Sequence, residues 1–135
     1  MNLALYIATA SNPLEEAERR IGGARDVGIT ITFDWTKAVR EAGNASPDDL
    51  VVRKAAAEAD LHGVETADVL WLIQPENAST GAWVELGYAL GLRRAFKKPV
   101  VVVSGVSKRC IFADLADHRF DSHDDAFTFI KGMKK

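Results

Sequence analysis

The sequence predicts an α/β protein in which parallel strands are joined by right-handed crossovers and helices cover both faces of the sheet. Two observations carry this. Strand-like and helix-like patterns alternate along the chain. Strand candidates such as Leu3-Ala4-Leu5-Tyr6-Ile7-Ala8 and Val69-Leu70-Trp71-Leu72-Ile73 are apolar almost without a break, as strands covered on both faces must be.

The first strand is residues 3–8. The loop Thr9-Ala10-Ser11-Asn12-Pro13 is small and polar, with Pro13 placed to open a helix. Residues 14–27 carry apolar side chains at Leu14, Ala17, Ile21 and Ala24, a helical period. Glu15 and Glu16 lie in its first turn and Arg19, Arg20 and Arg25 further along, matching the helix dipole; Gly28 stops it. Ile29-Thr30-Ile31-Thr32-Phe33 alternates and is β-branched, which makes it the second strand, and Asp34-Trp35-Thr36 leaves its C-terminal end. Residues 37–42 form a short helical turn and Gly43-Asn44-Ala45-Ser46-Pro47 a loop. Ser46 then caps a long helix reaching about residue 65, with Pro47 at its first position and Asp48 and Asp49 in its first turn. The third strand is residues 69–73. Residues 74–78 lead to a helix whose first turn Ser79 and Thr80 cap. That helix ends in the basic residues Arg93, Arg94, Lys97 and Lys98, which complement its dipole. Residues 99–103 are the fourth strand and Arg119-Phe120 part of a short fifth. Asp124 and Asp125 precede a last helix over residues 126–133.

A chain of 135 residues, 47% hydrophobic and 27% charged, fits one globular domain spanning residues 1–135. A net charge of -2 carries no electrostatic footprint for a nucleic-acid polymer, and small anionic ligands need only a few local donors. No apolar run approaches a membrane span, and the opening Met1-Asn2-Leu3 lacks the basic start of a secretory signal. Cys110 is the one cysteine, so no intrachain disulfide forms, which fits a reducing cytoplasm. With His62, His118 and His123 at no ligand spacing, no metal site is expected. Cys110 has no activating context and reads as inert.

The stretch from Gly81 to Gly91 is apolar nearly all round, the mark of a helix enclosed by a larger body. Glu85 is the one charge between Thr80 and Leu92. A buried, unpaired carboxylate is costly, so Glu85 needs an arginine in the core, a raised pKa, or a cavity holding solvent or ligand. The ion pair is the structural reading; a catalytic carboxylate near a helix N-terminus is the functional one. In doubly wound sheets, ligands bind beyond the carboxyl ends of the strands, where the topology reverses. The loop after Tyr6, the Asp34-Trp35 loop, residues 74–79 and the start of the Glu85 helix all reach that edge, which favours the functional reading.

The segments Asp60-Leu61-His62-Gly63-Val64, Ala67-Asp68-Val69-Leu70, Gly81-Ala82-Trp83-Val84-Glu85-Leu86-Gly87-Tyr88-Ala89-Leu90 and Lys98-Pro99-Val100, with the opening Leu5-Tyr6-Ile7-Ala8, resemble the nucleoside 2-deoxyribosyltransferase family. The similarity covers most of the chain and is weakest over residues 34–58. It implies a flavodoxin-like three-layer sandwich with a parallel sheet of about five strands. It also implies cleavage or transfer at the N-glycosidic bond of nucleosides or nucleotides without a cofactor. Its nucleophile is matched by Glu85, the acid assisting the leaving base by Asp60, and the tyrosine holding the glutamate by Tyr6. Thr9, Asn12, Trp35, Ser79 and Gly81 are the candidate substrate-binding residues.

Each also has a structural reading. Tyr6 also reads as core with its hydroxyl satisfied, Asp60 as a solvated acid near a helix end, Trp35 as packing or as a stacking surface for a base, and Asp68 as a structural cap. Gly87 and Gly91 read as letting the helix approach the sheet. Ser79 stands where transferases of the family often have an aspartate. A serine there resembles the branch acting on deoxynucleoside 5′-monophosphates, where it binds phosphate; Asn12 stands where that branch tends to have an arginine. The resemblance implies a homodimer or larger homo-oligomer in which a neighbour completes each pocket, with residues 107–117 as donor, since apolar Ile111, Phe112 and Leu115 need cover. The alternatives are a nucleotide-binding or sensor domain without turnover, and a generic flavodoxin-like partner domain, for which a flavin spectrum is the test.

Overall fold

Side chains alternate across a strand, so an apolar strand gives a sheet two faces to cover. A computed structural model describes residues 2–42, 48–76 and 79–134 of this chain. Strands β1 (Ala4–Ala8), β2 (Thr30–Ile31), β3 (Val69–Ile73), β4 (Val100–Ser104) and β5 (His118–Phe120) form an all-parallel sheet in the order β2-β1-β3-β4-β5. That is the flavodoxin-like order. On one face Leu5, Ile7, Trp71 and Val102 pack against α1 (Leu14–Asp26) and α5 (His123–Met133). On the other, Tyr6, Ala8, Leu70, Leu72 and Val103 pack against α3 (Leu50–Thr66) and α4 (Gly81–Phe96). A short α2 (Thr36–Glu41) follows β2.

The β1 connection runs to β2 on one side, and the β3 connection to β4 on the other. The loops leaving β1 and β3 therefore part and open a crevice at the carboxyl edge. Among the described residues no helix is long and apolar enough to cross a membrane.

Five local expectations are corrected. The second strand shrinks from five residues to Thr30–Ile31, because it is an edge strand paired with β1 alone. Thr32 N still donates to Leu5 O at 3.0 Å, then the chain leaves the ladder and Phe33 turns into the α3–α4 core. The long helix is capped by Asp49, whose carboxylate accepts from Val51 N at 2.8 Å and Val52 N at 3.4 Å, so it starts at Leu50. The proposed cap Ser46, Pro47 and their loop, residues 43–47, lie outside the described residues, as do Asn77 and Ala78.

The Glu85 helix is not enclosed all round. Ala82, Glu85, Leu86 and Ala89 are buried, whereas Val84 and Phe96 are exposed, because the sheet and α3 cover one side of it. Gly87 and Gly91 lie on its open side, and a Cβ at either would meet nothing within 4 Å, so neither serves close approach to the sheet. Finally, Thr80 occupies the N-cap without a side-chain cap bond; Ser79 Oγ accepts from Ala82 N at 3.4 Å instead.

Candidate active site

Three elements converge on the crevice. β1 alternation turns Tyr6 toward α3 and α4. One turn into α4, Glu85 faces the same layer and is 7% exposed. Tyr6 Oη donates to Glu85 Oε2 at 2.6 Å. From α3, Asp60 lines the same cavity of about 270 Å³, together with Glu85, Thr9, Asn12, Trp35, Ser79 and Gly81. The seven cavity-lining candidates thus come from four separate chain segments, and Tyr6 joins them through its bond to Glu85. Ser11 and Thr80 line the cavity too. The sequence reading missed both; the signal was there, since each adjoins a named candidate in a polar loop.

Trp35 serves as packing and also reaches the cavity. Its indole N–H donates to Ile7 O at 2.8 Å, the ring packs against the α3–α4 core, and the residue lines the cavity. Its loop is pinned by Asp34, which accepts from Arg25 at 3.0 Å, from Thr36 N at 3.1 Å and from the Thr36 hydroxyl.

The electrostatics separate the two readings of Glu85. Among the described residues no lysine, arginine or histidine pairs with Glu85 or Asp60, so the core ion pair is absent. Burial pushes the Glu85 carboxyl up to about 8; the Tyr6 hydrogen bond works against this and the charge of Asp60 adds to it. Burial pushes Asp60 up to about 6. The Tyr6 phenol is raised far above its ordinary value, first by burial and then by the charges of Glu85 and Asp60, so it stays a donor. A scan against models of known protein families and a search of curated proteins both find no match for this chain.

A larger groove of about 890 Å³ adjoins the site, sharing Ser79 and Thr80 with it. Its walls are mainly apolar, with Trp83, Val84, Leu90, Phe112 and Leu115, and among the described residues no acid lines it. The two acids thus line the smaller cavity and not the groove. Cys110 is half-buried on the groove wall. Among the described residues no group of three His, Cys, Asp or Glu side chains is placed to hold a metal ion.

Proposed function

We propose that this chain breaks the N-glycosidic bond of a (2′-deoxy)ribonucleoside or its 5′-monophosphate through a covalent glycosyl ester with Glu85. The observation that carries this is the buried Glu85 carboxyl, held by Tyr6 and, among the described residues, by no base, in one cavity with a second acid. The motif resemblance points the same way.

The chemistry needs one proton on the pair of carboxyls. With the pair singly protonated, the proton favours Glu85, the group with the higher pKa. Its transfer to Asp60 leaves Glu85 ionised and Asp60 neutral at no change in total charge. Glu85 then attacks C1′, the bond from C1′ to the base nitrogen breaks, and Asp60 gives its proton to the departing base. Water or a second base attacks C1′ of the ester, returns a proton to Asp60 and frees Glu85, the double displacement of retaining glycosidases. The Tyr6 hydroxyl stabilises the Glu85 anion as a nucleophile and as a leaving group. Trp35, pinned through its indole N–H, offers a face for the base. Ser79 and Gly81, at the start of α4, suit the 5′ side of the sugar.

A second copy of the chain belongs to this reading. The large groove opens onto the site at Ser79 and Thr80, and Ile111, Phe112 and Leu115 beside it are 74%, 56% and 51% exposed. A symmetric dimer or larger assembly would cover that face and close the pocket. Sedimentation at working concentration tests it: a fully active monomer is the contrary result.

The deciding experiment is incubation with a panel of nucleosides and 5′-monophosphates, reading free base by chromatography. Base release from one class identifies the substrate. No release from any member, by a folded protein in its native assembly, removes the proposal.

A further inference from the structure

Gly63 lies on the buried side of α3. A Cβ built there would stand 2.8 Å from Cβ of Phe33 and 2.9 Å from both Cδ2 and Cε2 of Tyr6, closer than carbon atoms pack. Neither neighbour gives way easily. Tyr6 is fully buried, and the Phe33 contact is one bond from its backbone. Gly28 also has a short contact, but with the Nζ of Lys134, the free end of a flexible side chain. Thr32 Oγ1 donates to Gly63 O at 2.7 Å and ties the same helical turn to the end of β2. Three segments therefore meet at Gly63, and each carries a residue of the site: β1 carries Tyr6, the loop after β2 carries Trp35, and α3 carries Asp60.

We propose that Gly63 is a positioning residue: its bare face lets α3 close against the Tyr6 ring, and this holds the phenol on Glu85 with Asp60 beside them. The inference rests on Glu85 as the nucleophile for its catalytic consequence, though not for its geometry. A methyl at Gly63 must push the ring from the helix or the helix from the sheet. The first loosens the 2.6 Å bond to Glu85; the second withdraws Asp60. The Tyr6 bond favours ionised Glu85, so loosening it raises the midpoint of Glu85. The other charge facing Glu85 is Asp60 of α3. β3 and β4 carry no titratable side chain, and Asp114, in the turn packed on α4, is paired with Arg119 at 3.0 Å.

The test is a carbon-13 NMR titration of the glutamate carboxyls in wild type, Gly63→Ala, Tyr6→Phe and the double variant, with base release measured alongside. In Gly63→Ala the Glu85 midpoint should move by about half a unit or more, upward where the Tyr6 bond is what loosens. Base release should fall roughly tenfold or more. Adding Gly63→Ala to Tyr6→Phe should give no further midpoint shift from the lost phenol bond. A folded Gly63→Ala with the wild-type midpoint overturns the proposal, even if its stability drops. Should Gly63→Ala fail to fold, Thr32→Val decides, since it removes the tie to Gly63 O without adding bulk. It should move the midpoint in the same direction by less, and an unmoved midpoint overturns the proposal. A shifted midpoint in a protein that releases base from no substrate leaves the positioning role standing and removes Glu85 as nucleophile.

Discussion

At the amino edge of the sheet, Asp68 and Asp117 stand where strands begin; at the carboxyl edge, Asp60 and Glu85 stand where strands end. The first two are fully engaged. Asp68 accepts from Ala4 N at 3.0 Å and meets Lys98 Nζ at 3.5 Å. Asp117 accepts from Val101 N at 2.8 Å and pairs with Arg93 at 3.1 Å. Burial alone would raise the Asp117 carboxyl, but the Val101 N–H and the Arg93 guanidinium outweigh it and hold it below the ordinary range. Among the described residues Glu85 and Asp60 meet no base, and both are raised. The same residue chemistry thus ties strands together at one edge and, in the proposed reaction, exchanges a proton at the other. The difference lies in the neighbours, since ordinary pairing spends an acid's charge and its absence keeps the acid reactive.

The sharpest break of this contrast is Glu85→Gln. Base release should fall to background while the protein stays folded. Stability should move the other way. The folded midpoint of Glu85 lies above its ordinary value, so the wild type loses stability as pH rises from about 4.5 through about 8. The variant escapes this loss, so its advantage in melting temperature should grow between about pH 5 and about pH 9. Near wild-type turnover would remove Glu85 as nucleophile, and an advantage that does not grow would remove the buried anion.

Asp60→Asn should cost about 10²–10⁴-fold on ordinary purine substrates, the range of general acid–base groups. The loss should shrink sharply with an N7-methylated purine, which leaves already charged. Equal losses on both substrates would make Asp60 a sugar- or nucleophile-positioning group. In the wild type, the singly protonated pair exists between the two midpoints, so kcat/KM should peak between about pH 6 and about pH 8. A rate that climbs steadily to alkaline pH would contradict the shared proton.

Ser79→Ala should lower activity on monophosphates roughly tenfold more than on nucleosides if its hydroxyl meets the phosphate. Equal, small losses on both would leave it the helix-start role of its bond to Ala82 N.

The smallest effect on activity belongs to the amino edge. Asp117→Ala should cost about 1–2 kcal/mol at neutral pH, mostly through the lost partner of Val101 N. The loss should vanish as pH falls through the depressed midpoint of Asp117, because that stabilisation exists only while the carboxyl is ionised. Base release per folded molecule should not change. A catalytic defect in this variant would erase the distinction between the edges.

Much of this was legible before any tertiary contact. Unbroken apolar runs and their alternation with helical periods determine a parallel sheet covered on both faces, since backbone and side chains leave no other way to bury them. One acid in an apolar helix marks Glu85 without any fold, because burying a charge needs a reason. The tertiary structure alone decided what that reason is. Tyr6 and Glu85 are far apart in the chain, and only the packing of α4 over β1 puts the phenol on the carboxylate, with no arginine among the described residues paired to it. It alone decided which glycine matters, since Gly87 and Gly91 look outward while Gly63 receives Tyr6 and Phe33. It decided too that α4 keeps an open apolar side, and that the second strand ends after Ile31, where an edge strand has one neighbour to hold it. Local pattern reports what a residue prefers; how closely two elements approach depends on atoms distant in sequence, and the contacts among the acids, the tyrosine and the glycine are set by that distance.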